Sequence, residues 1–377
     1  MKIIVIGGSI GGLSTGIALM QQGFDVEIFE RSATDMKDRG AGLVIQPDMM
    51  EYLMEHRISP REVFGVPALQ RQILDDNGRA VFKYQNDTMF TSWNYIWRQL
   101  KDYFPTEKYH FGYELDNIAQ DKETVTATFK NGVVRTASLL VGADGYSSVV
   151  RQHFLPDIQP TYAGYVAFRG LIPESQMSSE EVAFFSNKFS IYPYAHSHIL
   201  SYMVPGTNGE LHAGHRLYNW VWYLNKTTGA LNDLLVDKNG QKREYSIPAG
   251  LLSKESIADL RQLADEQLPD ILKGRVLQTE HPFVQVITDL AVPTMYDGRV
   301  VILGDAAFVV RPHTASGTAK AYRDAIALAN SLADHDNVEA ALSYWNGQQT
   351  QYAAALVHHG KQLAARSDLG LAKPLYE

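Results

Sequence analysis

Gly7-Gly8-Ser9-Ile10-Gly11-Gly12 places glycine where a chain must turn tightly and where a polyanion must approach the backbone. Between a strand and a helix, such a run holds a pyrophosphate. Gly7 serves the turn and Gly12 the helix–strand contact, while Ser9 stands where a middle glycine is usual, its small side chain hindering approach without blocking it. Ile10 and Gly11 open the helix, whose free N–H groups and partial positive charge favour phosphate. Glu30, 23 positions after Gly7, is an acid suited to ribose hydroxyls. Asp305 follows Gly304 at the end of another apolar run, so its carboxylate either accepts cofactor hydroxyls at a sheet edge or caps a helix. His313 comes eight residues later, and a histidine near its ordinary pKa of about 6.5 can take a proton at neutral pH.

The elements that position these groups show in the periodicity. Ile3–Ile6 is a continuous apolar run, as in a buried parallel strand, and Leu13, Ile17 and Met20 make a helical stripe ended by Gly23. Asp25–Phe29 is the second strand. Val125, Ala127 and Phe129 alternate before a Lys130-Asn131-Gly132 turn, and Ser138–Val141 is a short buried strand ending in Gly142-Ala143-Asp144-Gly145. Residues 160–225 are dense in aromatics and turn signals and predict an antiparallel sheet. Helical patterns return at 253–268, after residue 317, and over a last long helix from Val338.

The composition sets limits. With 377 residues, two or three domains are expected, and 45% hydrophobic with 20% charged residues is an ordinary globular balance. The absence of cysteine excludes disulfides, thiolate metal sites and a cysteine nucleophile. A net charge of −8 argues against nucleic acid or an anionic membrane as partner. No apolar run reaches the roughly 20 residues needed to cross a bilayer, and the N-terminus has no signal-peptide pattern, so a cytoplasmic protein is expected. His196 and His198 would share a strand face, with His212 and His215 nearby in sequence, but zinc needs a third ligand and a supporting shell and there is no zinc-protease motif, so no metal is expected; no serine-nucleophile elbow is present either.

Residues 304–325 read Gly-Asp-Ala-Ala-Phe-Val-Val-Arg-Pro-His-Thr-Ala-Ser-Gly-Thr-Ala-Lys-Ala-Tyr-Arg-Asp-Ala. Here the chain resembles the class A flavin-dependent aromatic hydroxylases, with Asp305, Pro312, Gly317, Asp324 and Ala325 in register. Gly142–Gly145, with Ser147 and Arg151, resembles another motif of that family. Phe308 replaces a usual His, Ala315-Ser316 replaces Gly-Gln and Ala319 replaces Asn. This variant, together with Tyr218–Tyr223, looks like the branch that contains 2,6-dihydroxypyridine 3-hydroxylase.

The resemblance implies an α/β fold: a Rossmann-type FAD domain (1–72, 95–160, 276–377) interleaved with an antiparallel-sheet substrate domain (73–94, 161–275). It implies FAD held by Gly7, Ser9, Ile10, Gly11, Gly12, Glu30, Arg31, Arg39, Gly42, Leu43, Arg98, Asp144, Gly304, Asp305, Pro312, Ala315, Ser316, Gly317 and Thr318. It also implies NADH or NADPH as a transient donor, and oxygen transfer through a flavin C4a-hydroperoxide to an electron-rich aromatic or N-heteroaromatic ring. His313, Tyr192, Tyr202 and His215 are the candidates for polar groups around that ring, and a homodimer is among the expected assemblies. Two alternatives stay open: an FAD oxidase or reductase of similar fold, and a non-enzymatic flavoprotein that sequesters an aromatic ligand.

Overall fold

The computed structural model describes residues 1–34, 36, 41–58 and 64–370. A six-stranded sheet carries the glycine turn, in the order 296–297, 300–302, 139–142, 2–6, 25–30, 109–111. The five strands from 300–302 to 109–111 run parallel. Strand Lys2–Ile6 is central, and Ile3, Ile4 and Val5 are fully buried, because both faces are covered. Helix Ile10–Gln21 packs on this sheet and against helix Ala319–Asp334. The turn at 130–132 closes a small separate sheet of strands 115–120, 125–129 and 134–137.

The aromatic region forms the middle of a ten-stranded sheet, in the order 246–247, 283–291, 161–173, 217–225, 197–204, 188–194, 66–74, 80–92, 42–45, with 308–309 beside 283–291. Its hydrogen bonding takes in strands Gly42–Ile45, Val66–Leu74 and Phe283–Ala291, which lie wholly or partly in segments expected to belong to the cofactor domain. Strand order follows ladder partners that are distant in sequence, and local periodicity cannot report these. Pairing is antiparallel except between 188–194 and 66–74. Phe184 and Phe185 sit on helix Ser179–Phe185 rather than on a strand; Ser178 and Glu181 close a capping box at its start.

The two faces of this sheet differ. Trp220, Trp222, Tyr218, Ile199 and Met203 point to an outer core with Leu231, Leu260, Ala264 and Leu272 from flanking helices. Alternate residues, among them Tyr165, Ala167, Val221 and Tyr223, point to the opposite, inner face, where they pack with Ile287 and with Ala364 of the last helix.

Candidate active site

Gly7 adopts φ +104°, which favours glycine, and a side chain there would overlap the Ala143 carbonyl. A Cβ on Gly12 would overlap the Gly7 carbonyl. Glu30 is buried and accepts the Gly8 N–H at 2.7 Å and the Ser32 N–H at 2.8 Å. The Gly8 carbonyl is gripped in turn by Trp97 Nε1 at 3.0 Å and the Tyr109 hydroxyl at 2.8 Å. Ser9 occupies the N-cap of helix 10–21 without a side-chain cap bond.

The second and third motifs meet across the sheet edge. The Asp144 carboxylate accepts from Ser148 Oγ at 2.5 Å, Val149 N at 2.8 Å and Val150 N at 3.2 Å. Its side chain therefore shapes its own loop. Arg151, fully buried, donates to Tyr146 O at 2.7 Å and Ala306 O at 2.9 Å and ties this loop to the Asp305 turn. Asp324 accepts the Gly304 N–H at 2.9 Å, and burial pushes its carboxyl up to about 7.

Asp305 is half-exposed, and its Oδ1 lies 2.7 Å from Lys320 Nζ. Lys320 is fully buried; it also donates to the Phe308 carbonyl at 2.7 Å and stands 4.4 Å over the Phe308 ring. The sequence reading missed this lysine. Its signal was a cation in the first turn of a helix, where the dipole disfavours positive charge unless an acid holds it. Thr318 gives helix 319–334 no side-chain cap, and space around Gly317 is open. Pro312 starts a short 3₁₀ turn, and Ala315 takes φ 55°, a left-handed position. Ser316 Oγ donates to Thr314 O at 3.0 Å.

Gly42 donates to Asn219 Oδ1 at 3.0 Å, and a Cβ there would run into the Tyr202 ring, so the strand carrying Leu43 abuts the inner face of the large sheet. Arg98 keeps a buried Nε without a partner, and Arg31 is exposed. Arg39 lies outside the described residues. The buried acid at the second strand, the side-chain-free cradle at Gly7–Gly12, the open helix end at Gly317 and the unpartnered Arg98 Nε together suit FAD.

On the inner face His313 Nε2 lies 2.8 Å from the Tyr165 hydroxyl, with the Tyr223 and His198 rings 4.6 and 5.3 Å away. Arg311 sits 5.6 Å from the Tyr165 ring and is held by Asp289 at 3.0 and 2.8 Å.

The FAD binding domain family matches residues 1–165 and 264–358, and an FAD binding domain-like family matches 162–289. This chain belongs to the FAD binding domain family. It is 33% identical over 371 residues to 2,6-dihydroxypyridine 3-monooxygenase of Paenarthrobacter nicotinovorans, covering 98% of this chain and 92% of that one. The solved structure of 2,6-dihydroxypyridine-3-hydroxylase from Arthrobacter nicotinovorans superposes with a TM-score of 0.92, covering 100% of this chain and 95% of that one at 33% identity. Klebsiella pneumoniae HpxO, complexed with FAD and uric acid, shares the fold at a TM-score of 0.79 and 22% identity, over 97% and 88% of the chains. The chain is thus an FAD-dependent monooxygenase, and its α/β fold with a Rossmann-type FAD domain is the one expected.

In this FAD-dependent monooxygenase the four residues expected around the substrate are not all together. His313 and Tyr202 are on the inner side; Tyr202 stacks on Phe90 with ring centroids 3.8 Å apart. Tyr192 points to the outer core and donates to Asp76 at 3.1 Å, because it has the opposite strand parity from Phe189 and Ile191. His215 is exposed in the loop before strand 217–225, with its ring 4.3 Å from that of His212. His198 takes a place on the inner face instead. Its expected face-mate His196 sits in a turn at φ 62° and pairs with Asp368 at 3.3 Å.

His313 does not titrate near neutrality. Burial, then the neighbouring His198 and Arg311, lower its pKa to about 3, and burial with Arg71 lowers His198 to about 4. Both imidazoles are neutral in the native state while the unfolded chain protonates them below about pH 6.5. Stability is therefore fully present above pH 6.5 and falls as the pH drops toward 4, by at most about 2 kcal/mol per imidazole at pH 5. Urea unfolding of the apoprotein at pH 7 and pH 5 checks this; His198→Asn should about halve the difference, His313 keeping its share.

Proposed function

We propose that this monooxygenase hydroxylates an electron-rich hydroxylated aromatic or N-heteroaromatic ring, next to or opposite an existing hydroxyl. The observation that carries the reading is the facing of two surfaces. Gly42, on the cofactor side, is hydrogen-bonded to Asn219 of the aromatic inner sheet face, where His313 and Tyr165 are hydrogen-bonded to each other. When bound, FAD supplies the redox chemistry: NADH or NADPH gives two electrons, one oxygen atom of O2 replaces a ring hydrogen as hydroxyl, and the other leaves as water. The chain's own groups position and shield. Tyr223, Tyr202 and Val221 give a flat apolar wall that excludes water. Neutral His313, held by the Tyr165 hydroxyl, hydrogen-bonds the ring hydroxyl and orients it.

The names of relatives support the substrate class: they include 6-hydroxynicotinate 3-monooxygenase of Pseudomonas fluorescens and 3-hydroxybenzoate 6-hydroxylase of Klebsiella oxytoca. No helix among the described residues is long and apolar enough to cross a membrane, which accords with action in the cytoplasm, and light scattering tests for the homodimer. The reading is tested with a panel of hydroxylated pyridines and benzoates, scored for stimulated NAD(P)H oxidation and for label from ¹⁸O₂ in the product. Stimulated oxidation without label in any product sinks it in favour of an oxidase. Tight ring binding with no stimulation favours a ligand-sequestering flavoprotein.

Asp305→Ala separates a cofactor ligand from a helix cap. It should weaken FAD binding roughly 10- to 150-fold, as for one charge-assisted hydrogen bond. An unchanged affinity in flavin fluorescence titration returns Asp305 to a local role as partner of Lys320.

A further inference from the structure

The turn after the first strand departs from the dinucleotide fingerprint at two places. Glycine stands at position 8, which the fingerprint leaves free, and serine at position 9, where it asks for glycine. The structure gives the reason for the first departure. A Cβ on Gly8 would overlap the Tyr109 hydroxyl and lie 2.9 Å from Glu30 Cβ, so only glycine fits between them. The Gly8 N–H donates to Glu30 Oε2 at 2.7 Å, and the Gly8 carbonyl accepts from both Trp97 Nε1 at 3.0 Å and the Tyr109 hydroxyl at 2.8 Å. These partners come from three segments: strand 25–30, helix 93–103 and strand 109–111. Trp97 and Tyr109 are both buried.

Two donors fill both lone pairs of one carbonyl, which fixes its direction. A trans peptide is planar, so the Gly8 carbonyl and the Ser9 N–H point opposite ways. With the carbonyl held inward by two buried side chains, the Ser9 N–H is set outward, on the partly exposed side of the turn at Ser9 and Gly11. Among the described residues nothing accepts from that N–H. Helix 10–21 makes its first bond from Leu13 N to the Ser9 carbonyl, so the N–H groups of Ile10, Gly11 and Gly12 are left at the same end.

Resting on the reading of Gly7–Gly12 as the pyrophosphate cradle, we infer that Trp97 and Tyr109 are cofactor-positioning residues: through the Gly8 carbonyl they aim the Ser9 N–H at the FAD pyrophosphate. Both act through the backbone and need no contact with the cofactor. Aim matters more at Ser9 than at a glycine, because the serine side chain narrows the approach and leaves a phosphate oxygen fewer angles at which a hydrogen bond stays linear.

The test measures FAD and riboflavin binding to the full-length chain by flavin fluorescence, together with FAD release on dilution of the loaded enzyme. Tyr109→Phe keeps the ring and removes one donor. It should raise the Kd for FAD about fivefold, since Trp97 still holds the carbonyl. Tyr109→Phe combined with Trp97→Phe frees the carbonyl and should raise the Kd about 30- to 150-fold, the size of one charge-assisted hydrogen bond. Riboflavin carries the flavin ring and no phosphate, so it should bind these variants as it binds the wild type. Equal loss of FAD and riboflavin overturns the inference by giving the pair a packing role. Wild-type FAD affinity in Tyr109→Phe overturns it as well, and this single variant keeps the test open if the double variant folds poorly. Gly12→Val separates the inference from the reading it rests on. If Gly12→Val holds FAD normally, the turn does not bind the pyrophosphate and both fall. If Gly12→Val loses FAD while Tyr109→Phe and the double variant keep it, the cradle stands and only the aiming is wrong.

Discussion

Gly12→Val is expected to yield a protein that loses its yellow colour on gel filtration. The first added carbon already overlaps the Gly7 carbonyl, and the nearest other atom is the Val5 side chain at 3.5 Å, so the branched group has no free direction. The turn must open, and its opening displaces the Gly8 peptide that Trp97 and Tyr109 hold. Overpacking of this kind costs about 1–3 kcal/mol, and the misplaced amides lose their phosphate contacts as well. Together these should weaken FAD binding by at least about 100-fold. Gly274→Ala is the matched control, because its Cβ would meet nothing within 4 Å. A full flavin spectrum in the Gly12→Val protein after desalting, with the control also normal, would show that this turn does not hold the pyrophosphate.

His313→Ala should lower product formation by roughly 10-fold, as for losing a hydrogen bond that orients the ring. Flavin content should stay normal, and NADH or NADPH should still be consumed, with hydrogen peroxide released in place of product. The lowered pKa gives this prediction a second signature. With a value of about 3, His313 is neutral throughout pH 6 to 9. The wild-type rate should therefore show no limb from this imidazole in that window, and any limb that appears belongs to the ring hydroxyl. Tyr165→Phe removes the hydrogen bond to Nε2 while keeping the ring, and should reproduce part of the defect. Hydroxylation by His313→Ala at the wild-type rate would make His313 structural and shift the contact with the ring hydroxyl to Tyr202 or Tyr223.

The nucleotide end was legible because its determinants are local. A buried parallel strand, a turn that only glycine permits and an acid at the next strand end occupy one short stretch, and each leaves its own residue signature at Ile3–Ile6, Gly7–Gly12 and Glu30. Asp305 was legible for the same reason, since a strand end places it whatever the rest of the chain does. Its partner Lys320 was not, because a lysine in a helix reads as a solvated charge until the packed loop around Phe308 buries it.

The substrate face depended on strand pairing. Aromatic density predicted the sheet, but which aromatics face the cofactor depends on parity along each strand, and a one-residue difference puts Tyr192 in the outer core while Phe189 faces in. Nearness in sequence did not decide which histidines reach the inner face: His215 is exposed beside His212 and His196 turns away, while the rings of His198 and His313, far apart in sequence, lie 5.3 Å apart. Titration likewise followed burial rather than residue type, since desolvation penalises the charged form only where the fold removes water. The sequence by itself determined a flavin protein and the glycine turn after its first strand; only the tertiary structure decided which side chains line the inner sheet face and which protonation states they hold, because those depend on contacts between segments that no local pattern encodes.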